Sequence, residues 1–229
     1  MILPGAIIGG APRLPSEITS IFFGYQTATN FTVSSLDWGD VVKGQNKRSV
    51  VVTLSMFSSE NITGTPTING ASASIIFNDT TPSVGGLSYR IVCFAADVPT
   101  GATGDVTFST TSAAEVLIGV SRTINLDVST ETDSDINAAT NLATLAIDCP
   151  AGGGVIGHGT YAYSGGSTPT SADFANLSTL EFIDSNIGGT LSGATFATVQ
   201  TGLSVTFDPT PNTNLSRSHA AALAFARTY

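Results

Sequence analysis

The sequence predicts an all-β fold, and three observations lead to that prediction. Short apolar runs rich in β-branched and aromatic residues follow one another along the chain, separated by Gly, Pro, Thr and Asn. Hydrophobic residues make up 41% of the 229 residues and charged residues only 11%, a balance that excludes a disordered chain. The second half of the chain also repeats the pattern of the first half.

The stretch from Tyr89 to Ser109 shows the strand pattern most clearly. Tyr89–Val98 is an apolar run that ends at the turn residues Pro99–Gly101, and Asp105–Ser109 then alternates between polar and apolar residues. This pattern predicts a buried strand, a turn and a half-exposed returning strand. The side chains predicted to lie in the core are Val92, Phe94, Val106, Phe108, Val116, Ile118, Val205 and Phe207.

An internal repeat organises the chain. Asn30–Asp37 resembles Asn141–Asp148, and further matches follow at a similar spacing of roughly 100 residues. These matches are Ser49–Ser58 with Gly154–Ser164, Thr65-Pro66 with Thr168-Pro169, Phe77 with Phe182, Asp105–Phe108 with Ser204–Phe207, and Glu115–Arg122 with Ala220–Arg227. The repeat predicts two degenerate β-sandwich units, immunoglobulin-like or jelly-roll-like, at residues 21–128 and 129–229. They would form two tandem sandwiches or one merged sandwich.

The repeat also decides the structure of the alanine-rich C-terminal segment. Ser218–Arg227 contains five alanines, and by propensity alone it favours a helix. Its counterpart Glu115–Arg122 is alternating and β-branched, which is typical of a strand. Tertiary context overrides propensity, so we predict a closing strand over Ala221–Arg227.

The charge balance excludes several kinds of partner. The net charge of −9, from 8 basic and 17 acidic residues, excludes a broad electrostatic surface for nucleic acid and disfavours docking on anionic lipid. No segment approaches the ~18 consecutive apolar residues of a membrane span. The first residues lack a basic region ahead of their apolar stretch, so the sequence predicts neither a signal peptide nor membrane insertion.

The cysteines and histidines are interpreted as structural. Cys93 lies within an apolar strand and is expected to be a reduced, buried thiol, although a bridge to Cys149 stays open because it depends on the spacing of their Cα atoms. His158 stands between two glycines and is expected to be a strand histidine rather than a general base. His219 is expected to be exposed.

No motif for catalysis or metal binding stands out. The chain lacks the G-x-S-x-G nucleophile motif, a phosphate-binding glycine loop and a C-x-x-C pair. Asp133–Asn137 starts like a calcium loop, but Ala138 and Thr144 replace the glycine and the acidic residue that such a loop needs. Ser129–Asn137 is therefore expected to be an acidic polar connector, and we predict no catalytic residue, cofactor or metal.

Aromatic residues offer one candidate binding site. Tyr161 and Tyr163 share one face of a predicted strand. Exposed aromatic pairs can stack on sugar rings, and buried ones fill cores. Core filling is favoured, and glycan stacking is the alternative.

The first 20 residues are predicted to form an extended arm, because three prolines interrupt an apolar stretch. Its large apolar side chains are Ile2, Leu3, Ile7, Ile8 and Leu14. Such a segment packs either on its own body or on a partner. We predict contact with another copy or another protein in a symmetric homo-oligomer, with a trimer as the first expectation.

The motif order resembles a family of β-sandwich proteins from the structural-gene modules of tailed bacteriophages and related prophage-like particles. Three motifs carry the resemblance: the turn Thr67–Ala71, the hairpin Val98–Ser109 and the strand Ile118–Ser121. A second half like residues 141–229 and a short apolar start like MILPG are also typical of that family.

The resemblance implies a virion component and implies no active site. We therefore expect a non-enzymatic structural protein on the particle exterior, in a tail fibre, a tail tip or a capsid decoration, assembled in the host cytoplasm. Its expected partners are copies of itself and other virion proteins. The alternative is a carbohydrate-binding module for host-surface glycans. A glycan-degrading enzyme is disfavoured, because no carboxylate pair stands in a cleft motif.

Overall fold

The computed structural model describes residues 15–41, 47–163, 169–183, 187–210 and 215–228. Within these ranges the regular elements are all β-strands, which confirms the predicted all-β class. The same part of the chain contains no helix long and apolar enough to cross a membrane.

The strands of the first half come in the order β1 (Glu17–Asp37), β2 (Arg48–Phe57), β3 (Ile62–Ile68), β4 (Ala71–Ser72), β5 (Ser74–Thr80), β6 (Tyr89–Asp97), β7 (Thr103–Ile124) and β8 (Leu126–Asp127). Those of the second half are β9 (Asp133–Ala139), β10 (Ala143–Cys149), β11 (Gly154–Tyr163), β12 (Ser171–Phe174), β13 (Ser178–Ile183), β14 (Ile187–Thr195), β15 (Gln200–Thr210) and β16 (Leu215–Arg227).

In the first half, one sheet in the order β4-β3-β7-β2-β6-β5 is extended by β1, which pairs with β7. The strands β1 and β7 are 21 and 22 residues long and pair antiparallel over most of their length. The start of β7 also pairs with β3 and its end with β2, so different parts of one strand belong to different parts of the sheet. This arrangement lets the sheet enclose a core.

In the second half, the order is β10-β15-β12 in one sheet and β13-β14-β11-β16-β8 in the other, with β9 also paired to β16. The two halves share a strand order. The path β1-β7-β2-β6-β5 recurs as β9-β16-β11-β14-β13, and β1-β7-β3 recurs as β10-β15-β12. The long strands β1 and β7 are each divided into two strands in the second half. The predicted repeat is therefore present in the strand pairing, although Thr168 lies outside the described residues.

Two parts of the sequence alignment between the halves are wrong. The match of Glu115–Arg122 with Ala220–Arg227 is out of register by three residues, because Val50 pairs with Arg122 whereas its counterpart Val155 pairs with Ala224. The alignment at the start of the repeat is wrong by one residue. It matches Phe31 with Leu142, but Phe31 is 2% exposed and Leu142 is 40% exposed. The true counterpart is Ala143, which pairs with Phe207 as Phe31 pairs with Phe108. A β-bulge further along β1 adds one residue, and one residue moves a strand side chain to the opposite face.

Each half has its own hydrophobic core, and the eight predicted core residues are all buried, which confirms their assignment. In the first core, the rings of Phe31 and Phe108 stack with centroids 4.5 Å apart, and Phe94 lies 5.9 Å from Phe108. Aromatic pairs at such distances add to the stability that burial itself supplies.

A third apolar cluster, here called the seam, lies between the halves. It is formed by Val51, Ile91, Cys93, Ala95, Leu126, Val128, Ile156, Leu191, Ala221, Leu223 and Phe225. Strand β2 shows how the seam is built, because Val50 and Val52 face the first core while Val51 between them faces the seam. The central strands of the first half are thus covered on both faces. Strands of this kind have continuous apolar sequences instead of an alternating pattern.

The alanine-rich segment forms a strand as predicted, since Ala221–Arg227 belongs to β16. The polar connector expected over residues 129–137 is partly wrong, because Asp133–Ala139 forms β9 and pairs with β16. The carboxylates of Asp133 and Asp135 accept hydrogen bonds from the backbone N–H groups of Asp148 and Ala146. Backbone pairing with β16 and these two hydrogen bonds hold the acidic segment Asp133–Ala139 in the sheet.

The arm is shorter than predicted, because β1 already begins at Glu17 and residues 17–20 pair with β7. The two cysteines are free and buried, Cys93 in the seam and Cys149 in the second core. Burial raises the pKa of both thiols, that of Cys149 to about 11.

Candidate functional site

Tyr161 fills the second core, as the favoured interpretation expected, and the alternative of glycan stacking fails for it. Its ring is fully buried in the second core, and its hydroxyl donates a hydrogen bond of 3.2 Å to the carbonyl of Ile183. A ring in this position cannot stack on a sugar. The side chain of Tyr163 lies outside the described residues, as do the predicted assembly residues of the arm, Ile2, Leu3, Ile7, Ile8 and Leu14.

The expectation that His219 is exposed is wrong, because His219 and His158 are both fully buried. The sequence shows a polar residue next to a turn, but it does not show that the first half covers β16 at this point. The ring of His219 packs 4.6 Å from the ring of Tyr89, which belongs to the first half.

The described chain begins at Pro15 and Ser16, here called the arm root, and the root is held by both halves. The Ser16 hydroxyl donates a hydrogen bond of 2.6 Å to the carbonyl of Gly152 in the second half. The carbonyl of Pro15 accepts one of 3.3 Å from the side chain of Asn125, at the end of the first half. The arm therefore starts at a defined place, where the two halves meet.

Asn125 joins several chain segments at this place. Its backbone N–H donates to the carbonyl of Lys47 at 2.8 Å, and its carbonyl accepts from the N–H of Thr228 at 2.9 Å. The residue is buried and has a φ of 56°, a left-handed conformation that asparagine tolerates better than most residues. The arm root and the last described residue thus lie side by side.

We expect Asn125→Ala to lower the free energy of unfolding by about 2 kcal/mol, because it combines a strained left-handed backbone with a lost side-chain hydrogen bond. Asn125→Gly is the matched control, since glycine accepts the backbone conformation and loses only the bond, at about 1 kcal/mol. Urea denaturation of both variants measures the difference. Equal losses would show that backbone strain contributes nothing at this position.

The residue after the root, Glu17, pairs with Ile124, and Ile18 then packs against the second half. A Cβ added at Gly154 or Gly193 would lie 2.9 Å from the side chain of Ile18, so these glycines leave the room that Ile18 occupies. The start of β1 is therefore part of the contact between the halves.

Two recesses adjoin the arm root. One of about 360 Å³ is lined by Ser16, Ile18, Leu180 and Gly193 among others, and the other, of about 240 Å³, by Pro15, Gly152, Phe196 and Arg227 among others. Both include Ser16 and Thr195, so they adjoin each other at the root. Their lining mixes apolar and polar residues, which suits an extended peptide segment.

Within the described residues, no group of three or more His, Cys, Asp or Glu side chains could hold a metal ion. A polar recess of about 220 Å³ contains Lys47, whose ammonium group lies 3.0 Å from Asp127 and 3.4 Å from Asp97. Two carboxylates already neutralise this cation, so the recess does not attract an anion.

Comparison with protein-family models, with curated proteins and with solved structures gave no match. The arm root was missed by the sequence reasoning, which singled out the arm but not its attachment. A signal was present in the pattern Ile124-Asn125-Leu126, where one asparagine interrupts two apolar strand segments. Asparagine at such a break often adopts the left-handed backbone conformation.

Proposed function

We propose that the protein is a non-enzymatic structural component of a tailed-phage virion or a prophage-like particle. It lies on the particle exterior, in a tail fibre, a tail tip or a capsid decoration. It assembles with copies of itself and with other virion proteins through its apolar N-terminal segment. The observation that carries this proposal is the arm root, which holds that segment at the meeting point of the two halves, beside two recesses.

The composition of the segment supports assembly. Residues 1–14 contain five large aliphatic side chains and a single charged one, Arg13. Burial of one such side chain stabilises by roughly 1.5–3 kcal/mol, so exposure of all five to water would favour aggregation. A partner surface removes that liability.

The described residues already form two cores and the seam from side chains between Ile18 and Phe225. Our proposal therefore assigns the N-terminal segment to a contact with a partner rather than to these clusters. The motifs of Val98–Ser109 and Ile118–Ser121 add the resemblance to virion proteins. The glycan-binding alternative is weakened, because the ring of Tyr161 is buried and cannot contact a sugar.

Deletion of residues 2–14, which keeps Pro15 and Ser16, tests the proposal. We expect the truncated body to melt within about 3 °C of the full chain, because its cores are intact. We expect it to sediment as a monomer where the full chain forms an oligomer, and to be lost from purified particles. The matched control for surface polarity is Val199→Asp, which changes a 64% exposed apolar residue outside the arm.

Ile7→Asp and Ile8→Asp within the full-length arm should reproduce the deletion, whereas Val199→Asp should assemble normally. Two outcomes contradict the proposal. If the truncated chain unfolds, the arm belongs to its own core. If it assembles and incorporates as the full chain does, the arm has no role in assembly.

A further inference from the structure

Among the described residues, two buried side-chain-to-side-chain hydrogen bonds cross between the halves, and each joins a threonine of the first half to a histidine of the second. Thr53 Oγ1 and His158 Nδ1 are 2.8 Å apart, and Thr81 Oγ1 and His219 Nδ1 are 2.7 Å apart. All four side chains are buried. Although the two pairs lie on different strands, they have the same chemistry.

The far side of each imidazole ring has no polar partner. Nε2 of His158 and Nε2 of His219 are buried without a hydrogen-bond partner among the described residues. Phe23 packs edge-on against His158 at 5.9 Å, and the ring of Tyr89 packs against His219. A protonated ring would carry a charge and a second N–H donor into surroundings that supply no acceptor, which is costly.

Among the described residues, neither ring has a hydrogen-bond acceptor at Nε2 or a carboxylate beside it to stabilise a cation. His158 faces Thr53 and Phe23, which are uncharged, and burial lowers its pKa to about 3. His219 faces Thr81, the phenol of Tyr89 and the cationic Arg217 of its own strand. Burial, and then repulsion by Arg217, lower the pKa of His219 to about 4.

The sign of the pH effect follows from these shifts. A histidine released to water has a pKa of about 6.5, so the open form binds more protons than the closed form below that pH. The closed seam is fully favoured above about pH 6.5 and is progressively disfavoured down to about pH 4. Each histidine then shifts the opening equilibrium by up to about tenfold per pH unit.

We propose that the seam is an acid-sensitive joint, in which protonation of His158 and His219 separates the two halves while each half keeps its own core. Separation rather than unfolding is expected because each half encloses a complete apolar cluster of its own. Opening the seam places both rings in water, where they accept protons, and breaks the two threonine bonds. This inference is independent of the proposed role in a virion.

The chain contains separate probes for the seam and for a core. Cys93 is fully buried in the seam, and Trp38, the only tryptophan, is fully buried in the first core. In a Cys149→Ala background, Cys93 is the only thiol, and 4,4′-dithiodipyridine labels thiols in acid as well as at neutral pH. Labelling rates are divided by those of a model thiol at each pH.

We expect the corrected labelling rate of Cys93 to rise by up to about 10³-fold between pH 7.5 and pH 5. Each of the two histidines contributes up to about tenfold per pH unit over the roughly 1.5 pH units between pH 6.5 and pH 5. Trp38 emission should not change over that range. His158→Asn and His219→Asn keep a side-chain amide that can face the threonine but cannot titrate. Each single variant should halve the rise on a logarithmic scale, and the double variant should abolish it.

If a variant fails to fold, the imidazole protons of the unmutated chain can be followed by nuclear magnetic resonance as the pH is changed. The signals of the closed form should not shift between pH 7.5 and pH 6. The proposal is overturned if Cys93 labelling stays constant with pH. It is also overturned if labelling rises only together with a Trp38 change, which marks global unfolding, or if either closed-form ring titrates near pH 6.5.

Discussion

Phe108→Ala is expected to lower the free energy of unfolding by about 3–5 kcal/mol, the usual cost of truncating a buried aromatic side chain. Phe108 is 4% exposed, and its ring contacts Phe31 and Phe94 from two other strands. The alanine would leave a cavity that these rings cannot fill without leaving their own positions, because well-packed cores relax only in part.

Urea denaturation followed by Trp38 fluorescence measures this loss, since Trp38 lies in the same core. Val199→Ala is the control, because its side chain is 64% exposed and its truncation should change stability by less than about 0.5 kcal/mol. A loss below about 1 kcal/mol for Phe108→Ala would show that this face of β7 does not pack as described.

Gly189→Ala is expected to cost about 3 kcal/mol or more, because the new methyl group meets backbone rather than a movable side chain. Its Cβ would lie 2.1 Å from the carbonyl oxygen of Gly159 on β11 and 2.6 Å from a methyl carbon of Leu117 on β7. Since Gly189 pairs with Thr160, the neighbour of Gly159 in β11, the clash forces the two strands apart.

Gly86→Ala is the matched control for this substitution. An added Cβ there meets no atom within 4 Å, but the φ of 79° strains any L-residue, so we expect a loss of about 1–2 kcal/mol. Thermal unfolding of the two variants separates a steric cost from a conformational one. If Gly189→Ala is no worse than Gly86→Ala, the strands tolerate the methyl group and the close approach of β14 to β11 is not required.

Several features of the fold could be predicted because they depend on neighbouring residues. Alternation at period two identified the core face of Val106 and Phe108. Turn residues such as those of Pro99–Gly101 marked where the strands end. The repeat identified β16 as a strand against its own propensity, because a second copy carried a clearer pattern. The bulge in β1 escaped the alignment, since one added residue leaves no mark in composition.

The candidate site was less predictable, because its parts come from distant segments. Pro15 meets Asn125, and Ser16 meets Gly152, through hydrogen bonds between residues more than one hundred positions apart. The hydrophobic N-terminal segment was visible in the sequence, whereas the place of its attachment was not. The sequence favoured core filling for Tyr161 but left glycan stacking open, because a shared strand face does not show whether water or another sheet covers it.

By itself the sequence determined the all-β class, the repeat and which residues share a face, because these follow from local periodicity. Only the tertiary structure decided what covers each face. His219 on β16 was expected to face solvent, yet the packing of one half on the other buries it. The physical reason is that strand geometry sets the direction of a side chain, whereas burial depends on whether another sheet lies in that direction.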